Sequence, residues 1–440
     1  MLRTQSWKTT AVTCSLLLAG SSVMLSGAGS SALANSPTKS ASGRSDSHGG
    51  WANTWMTPVT HGDSAGSTQR GYTDTSFRSI IHTTVSGSAV RIRLSNQHGD
   101  HSITVGHATV AKPNLSTADT ADIDPATLRQ LSFNGQASAV ILPGDTLLSD
   151  PVRLPVGSQQ DLLVSAYFPT ATGPTTFHGT TLQTNYVGPG DLTGDLTGAG
   201  YTTPRNCCWF FLSGVDVLRD DAEGPVVVLG DSLGEGNGST LNANTRWPNL
   251  LFARLAAREG NHAPAVLNAS LAGNRLNHEG TEPGAGGFPG FDELGRNVEA
   301  RLSDDVFAEI DVQTVITDLG INDIWMSDDS ATAIITKLRQ LNQQLKEHGL
   351  RSVVATLAPY QGMGSADEWT PAKEATRQAV NDYLRHSYEF DGVIDFDKVL
   401  RDPANPARLL PAFDSGDHIH PNDAGNQAMA NAVSLSLIQR

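Results

Sequence analysis

The stretch GPVVVLGDSLGEGNGST, Gly224 to Thr240, is where the chain changes pattern, and its reading decides the fold. Val226 to Leu229 is a continuous apolar run of the kind that fills a strand buried on both faces. It breaks into Gly230, Asp231 and Ser232, a strand-to-turn junction whose mouth suits either a phosphate or a nucleophile. A phosphate loop needs a lysine and a hydroxyl after its glycines. Here no lysine follows, and Asp231 and Glu235 would repel an anion. The turn reads as one that presents Ser232.

After Gly224, apolar strands at Val226–Leu229, Ala265–Ala269, Thr314–Leu319, Ser352–Leu357 and Val393–Phe396 alternate with helical patterns. The helices fall at Trp247–Arg258, Asn297–Ile310, Ala331–His348, Ala372–Tyr388 and Asp423–Leu437. Five such alternations predict a five-stranded parallel sheet covered on both faces, with ligands at the carboxyl ends of its strands. Before Asp220 the period is different. SAVRIRLSN, Ser88 to Asn96, sets Val90, Ile92 and Leu94 against Arg91 and Arg93, one buried face and one wet face. SITVGHATV, SAVILPG, DLLVSAYF and CWFFLSGVDVL repeat the theme between turn residues, and no helix stands out. This half reads as an all-β sandwich, jelly-roll-like. The expected division is residues 51–220 for the sandwich and 224–440 for the α/β domain.

Residues 1–34 read as a signal peptide, with Arg3 and Lys8 ahead of an apolar stretch and Ala32-Leu33-Ala34 as the cleavage site. Residues 35–50 carry Ser, Gly and charge without periodicity and read as a disordered leader. The chain is therefore expected to be secreted, with no stable membrane anchor. Its 30 basic against 45 acidic residues give a net charge of −15, which argues against nucleic acid as a partner. Of three cysteines, only Cys207 and Cys208 lie outside the expected signal peptide. They are no disulfide framework, so a large apolar core must supply stability. The pair reads as structural, either a vicinal disulfide or two small buried residues.

Four loops at the predicted strand ends carry unusual chemistry: Gly230-Asp231-Ser232, NASLAGN from Asn268 to Asn274, Gly320-Ile321-Asn322-Asp323, and DHIHP from Asp417 to Pro421. Together they hold what acyl transfer needs. A hydroxyl requires a base to take its proton, and the base requires an acceptor that fixes its tautomer. Ser232, His420 and Asp417 supply these in turn. The Ser232 and Gly273 backbone N–H groups and the Asn322 amide are candidate donors to an oxyanion. Gly230 to Gly234 also fits the G-x-S-x-G nucleophile elbow. An elbow serine, however, follows several strands of its sheet, and here the serine ends the first.

On these residues the chain resembles the SGNH (GDSL) hydrolase superfamily, whose Ser, Gly, Asn and His match Ser232, Gly273, Asn322 and His420. GDSLGEG stands where many relatives read GDSITDG, which places Glu235 in a position held by a shorter acid. RIRLSNQHGDHSITVGHATVA, LQTNYVGPGD and LLPAFDSGDHIHPNDAG are further similar to a two-domain secreted actinobacterial-type group around xylan deacetylases. The resemblance implies a flavodoxin-like hydrolase domain and a serine carboxylic-ester hydrolase acting on a carbohydrate ester such as acetyl-xylan. The alternative within the class is a lipase or arylesterase. The alternative outside it is a polysaccharide-binding protein, with residues 51–220 as the binding module. No cofactor is required.

Smaller expectations follow. His418 is a neighbour of the site, Asp323 braces its loop, and Asn274 and Arg275 form the site wall. His61, His82, His107 and His178 lie scattered in the β half without metal-site spacing. The glycine-rich stretch Asn277–Gly295 reads either as a disordered loop or as a mobile wall of the cleft. Trp325, Tyr360 and Trp369 read either as packing aromatics or as sugar-stacking faces.

Overall fold

A computed structural model describes residues 50–438 apart from 63–66, 118–119, 202, 206, 221–222 and 365–366. The expected signal peptide and nearly all of the expected leader lie outside the described residues. The described residues form one compact unit.

The β half is antiparallel throughout. One sheet of four strands runs Trp51–Met56, Leu212–Leu218, Val90–Ser95, Thr146–Leu148 in spatial order. A second of six strands has Thr75–His82 and Asp161–Phe168 at its centre. Phe77, Ile81, Val90, Ile92, Phe168 and Val215 belong to one buried core. The sandwich expected from the alternating pattern is present.

Past Gly224 come five parallel strands: β1 (Val226–Gly230), β2 (Val266–Asn268), β3 (Thr314–Asp318), β4 (Arg351–Ala355) and β5 (Gly392–Ile394). Their spatial order is β2-β1-β3-β4-β5, the flavodoxin-like order, with its switch point beside β1. Every residue of β1 is buried, as its unbroken apolar run Val226–Leu229 requires.

The helices start and stop on recognisable signals. Helix α1 (Ser232–Glu235) follows β1 directly, and α2 (Trp247–Glu259) has Pro248 in its first turn and Gly260 at its end. Helix α3 (Ile321–Ser327) follows β3. Helix α4 (Ala331–Glu347) is capped by Ser330 and buries Ile334, Leu338, Leu341 and Leu345, one stripe at helical spacing. Thr370 caps α5 (Pro371–His386), and Asn422 caps α6 (Asp423–Ala432).

Three expectations change. The helix expected over Asn297–Ile310 is α-helical only at Val298–Leu302 and continues as a π-helical turn at Ser303–Phe307. The helix expected to reach Leu437 stops at Ala432. The face of Ser88–Asn96 expected to be wet is mostly covered: Arg93 Nη1 donates to Glu309 at 2.7 Å and Arg91 Nη2 to Asp216 at 2.8 Å. The first of those contacts reaches the α/β half. Trp51–Met56 packs along β2 and covers that edge of the parallel sheet. Ile310 N donates to Asn53 Oδ1 at 2.7 Å in the same seam. One apolar core runs through both halves, from Trp55 and Trp209 to Val227 and Leu267.

Candidate active site

Ser232 opens α1 at the carboxyl end of β1 and is 5% exposed. The preceding residue, Asp231, is the helix cap, accepting from Leu233 N at 3.0 Å. The serine hydroxyl is thereby left free of capping duty. His420 Nε2 lies 2.9 Å from Ser232 Oγ, and His420 Nδ1 lies 2.6 Å from Asp417 Oδ2. The other oxygen of Asp417 accepts from His420 N at 2.8 Å and Ile419 N at 3.1 Å. The short Asp-x-x-His spacing thus lets one carboxylate fold its own turn and orient the ring. Partial burial works to raise the Asp417 carboxyl. The hydrogen bond and charge of His420, with the two backbone N–H groups, outweigh it and hold the group well below the ordinary range.

Gly273 sits in the loop after β2 with φ +73, where an added Cβ would come within 2.4 Å of Leu294 Cδ2. Glycine is required there by backbone conformation and packing together. Among the described residues, neither Ser232 N–H nor Gly273 N–H has a protein acceptor. Asn322, in the first turn of α3, is 2% exposed and fully engaged. Its Nδ2 donates to Asn274 O at 3.0 Å and Asp231 Oδ2 at 3.2 Å, and its Oδ1 accepts from Trp325 Nε1 at 2.7 Å. Only this amide orientation satisfies an indole donor on one side and two acceptors on the other.

Several residues nearby take roles other than those expected. Asn274 and Arg275, expected as site wall, are each 1% exposed and brace the following loop from below. Asn274 Nδ2 donates to Leu294 O and Arg296 O, and Arg275 holds Ser327 Oγ and the Glu279 and Glu282 carbonyls. Asp323 braces its loop as expected, accepting from Leu276 N and Asn277 N at 2.9 Å each. Burial lifts its carboxyl to about 6 against those two hydrogen bonds. His418 turns away to Asp414, 2.6 Å off. Tyr360 is fully buried and is a packing residue. Trp325 is half-buried beside Phe288 of the glycine-rich loop, with ring centroids 5.7 Å apart.

A buried acid pair lies beneath the nucleophile, and no local pattern announces it. Burial, and after it the neighbouring Asp318, push the Asp231 carboxyl well above the ordinary range, while burial lifts Asp318 to about 7. Asp318 ends β3 opposite Gly230, so only the strand register reveals it.

His278, Asp323 and Asp329 bring ligand atoms within 4.8 Å of one another, a spacing a metal ion could use. These atoms already answer one another: His278 Nε2 faces Asp329 at 2.9 Å and its Nδ1 faces Glu282 at 3.0 Å. Burial works to lower the His278 ring, and the two carboxylates outweigh it and raise it. Cys207 and Cys208 form a vicinal disulfide in the β half.

A hydroxyl, an imidazole and a carboxylate in line at the carboxyl end of a flavodoxin-like sheet are equipped for acyl transfer. Residues 228–428 match the family model described as the GDSL-like Lipase/Acylhydrolase family. This half of the chain is a GDSL-type acylhydrolase domain, and the protein is a carboxylic-ester hydrolase. Similar solved structures include an acetyl xylan esterase, 17% identical, covering 47% of this chain and 96% of that one at a TM-score of 0.34. A family two carbohydrate esterase from Cellvibrio japonicus is 13% identical, covering 86% of this chain and 93% of its own, TM-score 0.34. Another from Clostridium thermocellum, in complex with cellohexaose, is 13% identical, covering 80% and 96%, TM-score 0.35. At these values the likenesses say nothing of substrate. No curated protein matches the sequence.

Proposed function

We propose that the protein is an exported serine esterase that removes short acyl groups from a carbohydrate, with acetylated xylan as the leading substrate. The observation that carries the mechanism is the unbroken chain Ser232 Oγ, His420 Nε2 at 2.9 Å, and His420 Nδ1 to Asp417 at 2.6 Å. His420 takes the Ser232 proton as Oγ attacks the acyl carbon, and the proton then passes to the departing sugar alcohol. Water, deprotonated by the same ring, releases the acid and restores Ser232. Asp417 holds the Nδ1–H throughout and stabilises the imidazolium.

The oxyanion is received by the Ser232 and Gly273 N–H groups, which have no competing acceptor. Asn322 joins them by exchanging its longer contact, the 3.2 Å bond to Asp231. The carbohydrate assignment rests on the sequence resemblance above. Export rests on the N-terminal pattern, and the Cys207–Cys208 disulfide supports it.

Lipid or aryl esters are the second reading, favoured by the aromatic group Phe288, Phe291 and Trp325 next to Asn322. Acetate release from acetylated xylan by the purified protein, with Ser232→Ala as blank, tests the first reading. Release by wild type alone supports it. No acetate from xylan, with turnover of aryl acetates intact, replaces the substrate and keeps the mechanism.

A further inference from the structure

We infer that the β half takes part in the reaction, through His178 as a positioning residue that holds Glu235 and, through it, the nucleophile. The inference rests on Ser232 being that nucleophile. Glu235 is the last residue of α1, three positions after Ser232, and its side chain is 3% exposed. His178 ends the strand Thr176–His178 of the β half and is equally buried. Glu235 Oε1 lies 3.1 Å from His178 Nε2, and the other carboxylate oxygen, Oε2, has no hydrogen-bond partner among the described residues.

The histidine is itself immobilised. Its Nδ1 faces Pro58 O at 2.9 Å, its Nε2 also faces Thr180 O at 3.0 Å, and Trp209 lies against the ring at 5.4 Å. All three oxygens are acceptors, so Nε2 must carry a proton for the ring to hold Glu235, and it shares that proton between Glu235 Oε1 and Thr180 O.

The surroundings of α1 make this contact matter. Asn268 Nδ2 donates to Gly234 O at 2.8 Å, and Arg246, itself tied to Thr181 O of the β half, lies under the turn that closes the helix. Gly236 there has φ +86, and a Cβ on it would meet Arg246 Cγ at 2.5 Å. Burial lowers the Arg246 guanidinium to about 10, and the charges of Glu235 and Asp161 oppose that shift. Glu235 Oε2 and Ser270 Oγ have no protein partner among the described residues and line a cavity of about 40 Å³ between the halves, enough for ordered water.

A one-turn helix has almost no stability of its own. Its rotation, and with it the 2.9 Å approach of Ser232 Oγ to His420, is set by what grips its far end. Asn268 supplies part of that grip from the α/β half, and His178 supplies part of it from the β half. Displacing a reacting group by about 1 Å can cost on the order of 10²-fold in rate.

The test uses the full chain and p-nitrophenyl acetate, with the rate of Ser232 labelling by a small fluorophosphonate as a second readout. Glu235→Ala and His178→Ala should each lower kcat by about 10- to 100-fold and leave KM within about twofold. Labelling should slow in parallel. Glu235→Gln, which keeps an acceptor for His178, should retain most of the rate. The double variant Glu235→Ala/His178→Ala should be no slower than the worse single one, because one contact is removed either way. Should His178→Ala fail to fold, His178→Asn carries the same comparison. Folded variants with wild-type kcat and labelling rate, or losses that multiply in the double variant, overturn the inference. Unchanged activity in Ser232→Ala would instead overturn the reading on which it rests.

Discussion

Asp231 caps the helix that Ser232 opens with one oxygen and accepts the Asn322 amide with the other, 3.2 Å away. One carboxylate therefore ties the nucleophile's helix to the third oxyanion donor. Trp325 completes the arrangement by holding Asn322 Oδ1 at 2.7 Å. Asn322→Ala should lower kcat by about 10²- to 10³-fold with KM little changed. Trp325→Phe should cost less, about tenfold, and nothing further in the Asn322→Ala background, because the indole acts through the amide. Steady-state kinetics on the four proteins decide this. Additive losses would show that Trp325 acts on the substrate directly.

Asp417→Asn keeps the size of the side chain and leaves the wrong partner for His420 Nδ1–H. A loss in kcat of about 10³- to 10⁴-fold is expected, by analogy with the serine-protease triad. The carboxyl is held well below the ordinary range, so it stays ionised wherever the protein is folded. The wild-type rate should therefore show no inflection between pH 2 and 4 while the protein remains folded. An inflection there that vanishes in Asp417→Asn would contradict this.

The buried acids fix the direction of the pH dependence of stability. Asp318 is lifted to about 7 and Asp323 to about 6, above the ordinary carboxylate value expected in the unfolded chain. Between about pH 4 and 7 the folded state holds the extra protons, so stability falls as pH rises through that window. The depressed Asp417 works oppositely, at lower pH. Thermal melts should give a lower Tm at pH 8 than at pH 5, and Asp318→Asn should reduce the difference and raise Tm at pH 8. An unchanged slope in that variant would count against a protonated Asp318.

Arg93 lies between Glu309, at 2.7 Å, and Asp216, at 3.5 Å, in the seam of the two halves. Glu309 is 1% exposed. Removing the guanidinium leaves that carboxylate buried with its main partner gone. Arg93→Ala should cost about 3–5 kcal/mol of stability. Denaturant unfolding should remain a single transition, since one core spans both halves. Two transitions, with only the first one shifted, would show that the halves unfold independently.

What could be read from the sequence had local causes. The five strands are near-continuous apolar runs, and the loops that follow them carry the serine, glycine, asparagine and histidine blocks in chain order. What could not be read depends on contacts distant in sequence. Arg91 and Arg93 alternate like a solvent face, yet Asp216 and Glu309 meet them from elsewhere in the chain. Helix α3 begins on Gly320-Ile321-Asn322-Asp323, a polar start with no stripe to reveal it. The segment Asn297–Ile310 loses α-helical form where Asp305 turns in to Arg301 at 2.7 Å. Glu235 and His178, 57 positions apart, carry no common pattern at all.

The most direct measurement is the mass-spectrometric location of the adduct formed when the purified protein is inactivated by a fluorophosphonate ester. A single phosphonyl group on the peptide containing Gly230-Asp231-Ser232, absent from Ser232→Ala and slowed in His420→Ala, is the predicted result. Inactivation with the adduct elsewhere, or full esterase activity without Ser232, would contradict the serine mechanism.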